Sequence, residues 1–302
     1  MSPPILVGVD PLRHDPEAPV LAALLARATG APAVAVAAYD DDQIVWNRAD
    51  ELRGAALARL SAIEAAFPGV ALETAAVAGP SAARVLHDCA EQRGAGLLVV
   101  GSTHRGITGR VALGSTADRL LHGAPCPIAV APVGYAERMR GIDRVGVAFL
   151  DTEEGHEALR AAAARAAACD AELRAVTAIE PIAWSAPSLV QPFDVGAQLE
   201  ELRARAEDRL RAALNELRPV PRSEVEIILD RPLKALEQFS HDVDLLVCGS
   251  RGYGPLGSVL LGGVSRRLIH RAACPVIVVP RGTERALEAI AGDRPTEERT
   301  RA

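Results

Sequence analysis

Two segments of the chain are dense in glycine, and each follows a short apolar run. The first reads Gly101-Ser102-Thr103-His104-Arg105-Gly106-Ile107-Thr108-Gly109-Arg110-Val111-Ala112-Leu113-Gly114-Ser115-Thr116. The second reads Gly249-Ser250-Arg251-Gly252-Tyr253-Gly254-Pro255-Leu256-Gly257-Ser258-Val259-Leu260-Leu261-Gly262-Gly263-Val264-Ser265. The chemistry such segments suit is anion binding. Glycine lets a backbone approach a ligand closely and adopt positive φ. A helical stretch follows each segment, with Gly114-Ser115 and Gly262-Gly263 at its start. Free N–H groups and the helix dipole favour phosphate at such a place. Ser115, Thr116 and Ser265 would add hydroxyl donors, and Arg105, Arg110 and Arg251 would add charge. Asp10 ends another apolar run and is suited to accept hydrogen bonds from a base amino group or a ribose hydroxyl. The alternative is that the glycines only make tight turns and close helix–sheet contacts. No Gly-x4-Gly-Lys-Ser/Thr occurs, which excludes a P-loop NTPase.

The elements that must position these residues are repeated. Leu97-Leu98-Val99-Val100-Gly101-Ser102 and Leu245-Leu246-Val247-Cys248-Gly249-Ser250 lie 148 positions apart. The same spacing relates Cys126-Pro127-Ile128 to Cys274-Pro275-Val276, and Arg119-Leu120-Leu121-His122 to Arg267-Leu268-Ile269-His270. Earlier, the second strands match best at a spacing of 140, so the second half carries an insertion. Pro181, Pro187 and Pro192 mark that insertion as a loop. Apolar runs predict strands at Ile5–Val9, Ala33–Tyr39, Val70–Val77, Leu97–Val100 and Ile128–Ala131. In the second half they predict strands at Val145–Phe149, Leu173–Ala178, Val225–Leu229, Leu245–Cys248 and Val276–Val279. Leu52, Ala56, Leu60, Ile63 and Phe67 recur at helical spacing, as do Leu199, Leu202, Ala206, Leu210 and Leu217. Strict alternation of strand and helix implies parallel sheets with helices on both faces. The expected fold is therefore α/β: two tandem, doubly wound, Rossmann-like five-stranded sheets. The domains expected are 1–134 and 141–281, with a charged and flexible tail over 282–302. Ligands of such sheets sit at strand carboxyl ends where the winding reverses.

Composition narrows the function classes. The chain has 302 residues and a net charge of −6, which argues against bulk nucleic-acid binding. No apolar run reaches the roughly 20 residues of a membrane helix. No signal peptide is visible ahead of the first strand, so a cytoplasmic location is expected. The five cysteines, Cys89, Cys126, Cys169, Cys248 and Cys274, show no CxxC spacing. That argues against a disulfide framework or zinc site; Cys126 and Cys274, each ahead of a proline and a β-rich run, read as two buried thiols, with a redox sensor as the sharper alternative.

The spacing Gly-x2-Gly-x9-Gly-Ser/Thr, followed by Arg-Leu-hydrophobic-His-x-Ala-x-Cys-Pro, resembles the signature of the universal stress protein family. The resemblance covers nearly the whole chain, twice. It implies an adenine-nucleotide alpha-hydrolase-like fold and ATP as ligand, with Mg²⁺ as the cation its phosphates ordinarily bring. It implies adenosine between the first two strands and phosphates on the glycine motif. Carried over by position, the nucleotide-binding residues are Asp10, Gly101, Gly114, Ser115 and Thr116 in the first half. In the second they are Gly249, Gly252, Gly262, Gly263, Val264 and Ser265. Many members pair through the last strand, so the tandem resembles a fused dimer, with a homodimer of the whole chain as a further possibility.

Neither half matches the pattern fully. His104 stands where the second glycine of the first half belongs, and Gly263 replaces the hydroxyl residue in the second. Leu150 occupies the place of Asp10, with Asp151 next to it. The leading expectation is a stress-response regulator that binds adenine nucleotide in at least one repeat. The alternatives are a degenerate protein-interaction module and a slow ATPase. For catalysis there is little: Asp40, Asp41 and Asp42 read as a solvated loop, and no His/Asp/Ser set recurs near the glycines.

Overall fold

The computed structural model describes residues 2–40, 48–102, 114–138, 141–181, 195–217, 222–250 and 263–280. The expectations for Gly252, Gly262, His104, Gly106, Gly109, Arg105, Arg110, Arg251, Asp41, Asp42, Pro187, Pro192 and the tail lie outside these residues.

The first half runs β1 (Ile5–Val9), α1 (Glu17–Thr29), β2 (Ala33–Tyr39), α2 (Arg48–Ala66), β3 (Leu72–Ala78), α3 (Ala82–Gln92), β4 (Leu97–Gly101), α4 (Ser115–Leu120) and β5 (Ile128–Ala131). A short helix, α5 (Tyr135–Arg138), leads into the second half. That half runs β6 (Arg144–Ala148), α6 (Glu153–Cys169), β7 (Glu172–Ile179), α7 (Val195–Asn215), β8 (Ser223–Leu229), α8 (Pro232–Phe239), β9 (Leu245–Gly249), α9 (Gly263–Ile269) and β10 (Val276–Val279).

The strand order is β3-β2-β1-β4-β5-β10-β9-β6-β7-β8. Each half is a parallel five-stranded sheet wound in both directions from its middle. The two sheets meet where β5 pairs antiparallel with β10, Val130 opposite Val276 and Ile128 opposite Val278. One ten-stranded sheet results. The physical reason is the open edge: β5 and β10 are four-residue apolar strands, and their unpaired N–H and C=O groups satisfy each other.

Side chains alternate between two cores. Ile5, Val7, Leu97, Val99, Val145, Val147, Leu245 and Val247 face one layer, together with α1 and α6. Leu6, Leu98, Val100, Leu246, Cys248 and Ile128 face the other, together with α3 and α8. Strands buried on both faces explain the unbroken apolar runs. β3 begins at Leu72, not at Val70, because the Val70 N–H donates to the Phe67 carbonyl in a turn.

The helix ends are specified locally. Ser81 accepts from the Arg84 N–H at the start of α3, and Thr152 accepts from the Gly155 N–H at the start of α6. α1 ends on Gly30 and α6 on Asp170, both left-handed, with φ of 68° and 54°. α5 was not expected, since four residues are too few to show a helical period. It is fixed instead by the buried Glu17 of α1, whose carboxylate accepts from the N–H groups of Gly134 (2.8 Å) and Ala136 (2.6 Å). No helix among the described residues is long and apolar enough to cross a membrane.

Candidate functional site

The winding reverses between β1 and β4 in the first half and between β6 and β9 in the second. The carboxyl ends of those neighbouring strands therefore define one crevice per repeat. Asp10 and Gly101 come together at the first crevice, and α4 starts from Gly114 with Ser115 and Thr116 in its first turn. Gly114 has φ −66° and ψ 155°, ordinary extended backbone. The glycine is not required there by a positive φ, contrary to the general argument for these segments.

Asp10 is exposed and locally engaged. Its Oδ1 accepts from the Leu12 N–H at 2.9 Å, and its Oδ2 lies 3.8 Å from Arg13 Nε. Two neighbours that the sequence reading passed over complete the corner. Asp15 precedes α1, with its Oδ1 accepting from the Glu17 N–H at 3.1 Å. Its other oxygen rests against Gly101: a Cβ built on Gly101 would lie 2.5 Å from Asp15 Oδ2. Close approach, not turn geometry, is what requires glycine at 101. Arg59 reaches in from α2 and donates to the Asp15 carbonyl at 3.0 Å. Burial lowers the Arg59 pKa, while Asp15 and Asp10 act to raise it. The cap-like position of Asp15 ahead of Pro16 and Glu17 was a usable signal. Arg59 sits on a helix face with no signal at all.

The second crevice is built differently. The registers put Val145 where Ile5 stands, since Ile5 pairs with Ala33 and Leu97 and Val145 pairs with Leu173 and Leu245. By that register Leu150 takes the place of Asp10, and it is 62% exposed. Asp151 turns away to His156 (3.1 Å) and Arg209 (3.8 Å). α6 starts a turn earlier than α1, and its backbone covers the strand end. A Cβ on Gly249 would lie 2.7 Å from the Glu154 carbonyl oxygen. No carboxylate holds the position that Asp15 holds in the first repeat; Gly155 stands there.

Gly263 and Val264 open α9, at the places of Ser115 and Thr116. Ser265 follows at the place of the buried Ala117. Its hydroxyl donates to the Gly249 carbonyl at 3.2 Å. The proton expected to face a ligand is directed to the strand instead, which ties α9 to the end of β9. Ser102 and Ser250, the residues after each strand-end glycine, are both buried. Neither hydroxyl has a hydrogen-bond partner among the described residues.

The sequence profile of the universal stress protein family matches residues 1–132 and again 141–280. The chain belongs to the universal stress protein family. A universal stress protein of Mycobacterium tuberculosis is 34% identical over 192 residues, 60% of this chain and 61% of that one. The chain thus spans about three fifths to two thirds of the length of the mycobacterial relatives it matches. A universal stress protein of Thermus aquaticus is 35% identical over 135 residues, covering 44% of this chain and 95% of the relative. Among solved structures, a universal stress protein from Archaeoglobus fulgidus aligns with TM-score 0.67 at 19% identity, over 92% of this chain and 98% of that one. A functionally unknown Pseudomonas aeruginosa protein aligns with TM-score 0.66 at 16% identity, over 96% of each chain. At those identities the structures establish a shared fold. Both extend over nearly the whole length of this chain.

Proposed function

We propose that this universal stress protein is a cytoplasmic stress-response regulator that binds adenine nucleotide, ATP with Mg²⁺, at the strand-end crevice of at least one repeat. The observation that carries the reading is the placement of Gly101 and Gly249. Each ends the strand at which the winding reverses, and each is followed at the same interval by a helix start, Ser115 or Gly263. Backbone N–H groups at that rim suit phosphate, and Asp10 suits the adenosine end.

Thermal shift and isothermal titration with ATP test this. A ligand at 100 times its Kd stabilises the folded state by about 2.7 kcal/mol. A clear rise in Tm is expected, and loss of that rise in Gly114→Asp or Gly262→Asp assigns the repeat. No shift at millimolar ATP overturns the reading.

One observation favours a second reading, a protein-interaction module. Leu150 is 62% exposed at the second crevice, and Leu12 is 70% exposed beside Asp10 at the first. Apolar side chains at a crevice mouth suit a protein partner better than a phosphate. Slow ATP hydrolysis is the third reading, and steady-state phosphate release that disappears in Gly262→Asp would support it.

A further inference from the structure

The two repeats also differ on the face of the sheet away from α1 and α6, where α3 packs beside α4 and α8 beside α9. In the second repeat the gap between the two helices is bridged. Arg271, shortly after α9, donates to the Glu237 carboxylate of α8 at 3.3 Å. The Ser240 hydroxyl accepts from the Ala273 N–H at 2.9 Å. The first repeat lacks both ends of that ion pair. The spacing that sets His122 against His270 puts Gly123 at the place of Arg271. Counted from the helix starts, Ala82 and Pro232, His87 takes the place of Glu237. A histidine stands for an acid, and a glycine for a long cation.

A hollow of about 230 Å³ lies there, between α3 and the end of α4. Ser81, Arg84 and His87 line one side, and Arg119, the buried Leu120 and Gly123 line the other. No acid is among the described residues that line it. The nearby acids are committed elsewhere. Asp88 pairs with Arg84 at 2.9 Å and lies 3.3 Å from His87 Nδ1, which fixes both side chains on α3. Glu91 is exposed beside His87 and Asp88, one turn along α3 and outside the lining. Asp118 pairs across the repeats with Arg266 at 3.3 Å. Arg119 makes no side-chain hydrogen bond or ion pair among the described residues, whereas its counterpart Arg267 donates to the Gly263 carbonyl at 2.9 Å.

We propose that this hollow in the first repeat binds the oxyanion end of a small molecule, a phosphate or a carboxylate, with Arg119 as its main ligand and His87 and Arg84 beside it. The site is separate from the strand-end crevices and does not depend on their receiving nucleotide. In the second repeat a carboxylate of the chain, Glu237, fills the gap between the helices; in the first an external oxyanion takes that part. A guanidinium offers paired N–H donors that match such a group. The Nε2 of His87 has no partner among the described residues and adds a donor when it carries the proton. Leu120 and the bare Gly123 leave an apolar wall for a short hydrocarbon body.

The test is an NMR titration of the full chain with sodium phosphate and, separately, sodium acetate, at constant pH and with ionic strength held by chloride. The reporter is the His87 imidazole Cε1–H signal, assigned by its loss in His87→Gln. A saturable shift is expected with one anion or both, and the tighter of the two identifies the headgroup. Arg119→Gln should weaken binding about tenfold, the worth of one charge-assisted hydrogen bond. Gly123→Arg should abolish it, by placing a side chain of the protein in the hollow as Arg271 does in the second repeat. A Cβ on Gly123 meets nothing within 4 Å, so that variant keeps the fold. A linear, non-saturating shift with both anions means an adventitious ion only and overturns the proposal. So does a saturable shift whose Kd stays within twofold in Arg119→Gln and Gly123→Arg, since the anion then sits elsewhere.

Discussion

At the scale of single residues, the two strand-end glycines look alike in sequence and are required for different reasons. Gly101 makes room for the end of a side chain, Asp15, whereas Gly249 makes room for a main-chain carbonyl in α6. A carboxylate can rotate aside; a helical backbone cannot. Gly101→Ala should therefore cost about 1 kcal/mol and Gly249→Ala about 2–3 kcal/mol, the low and high ends of the overpacking range. Urea denaturation midpoints of the two variants check the order, and a larger cost at Gly101 would contradict it. Spacing in the chain revealed both glycines but not their neighbours. Asp15 and Arg59 meet Gly101 and Asp10 only after folding, from the turn ahead of α1 and from α2. Ser265 was legible as a hydroxyl near the second glycine segment. Its direction, toward the Gly249 carbonyl, follows from its position on the buried side of α9.

At the scale of elements, the apolar runs located all ten strands of the described residues, because strands covered on both faces leave little room for polar residues. β1, β2, β5 and β10 have the bounds expected from those runs. The edge strand β3 is half exposed, so its pattern is weaker and its start was misplaced. α5 was invisible because its cause is a distant residue: Glu17 lies 117 positions from Gly134. The repeat also exposes an imperfection in α6. Gly30 ends α1 in the left-handed region without strain, but the matching residue of α6 is Asp170 at φ 54°. Asp170→Gly removes the Cβ penalty while keeping the N–H bonds to Ala166 and Ala167. The expected gain is about 0.5–1 kcal/mol, read as a rise in Tm of about 2 °C. A fall in Tm would mean that the Asp170 side chain contributes more than its backbone strain costs.

At the scale of the whole molecule, one core layer runs through both halves and contains Cys126, Cys248 and Cys274. Burial pushes the Cys126 and Cys248 thiols up from 9.0 to about 12, and raises Cys274 in the same direction. The folded state keeps these protons in a range where the unfolded chain releases them. Stability from this source is full below pH 9 and is lost as the pH rises from about 9 toward 12. Each thiol contributes a slope of about 1.4 kcal/mol per pH unit in that window. Urea midpoints at pH 8, 9 and 10 should fall mainly in the last step, by about three times the first, and Cys126→Ala should flatten the fall. The same burial argues for packing as the role of these three thiols, since a buried, protonated thiol is a poor nucleophile.

The antiparallel contact between β5 and β10 has one more consequence. It reverses the polarity of the sheet at its midpoint, so the carboxyl ends of one half and those of the other point in opposite directions. The two crevices open on opposite rims, and four strand spacings, about 20 Å, separate them across the sheet. No small ligand bridges them, and one flat docking surface cannot cover both at once. The chain is a two-sided object: a partner seated on the Asp15 rim leaves the other rim open to the solution.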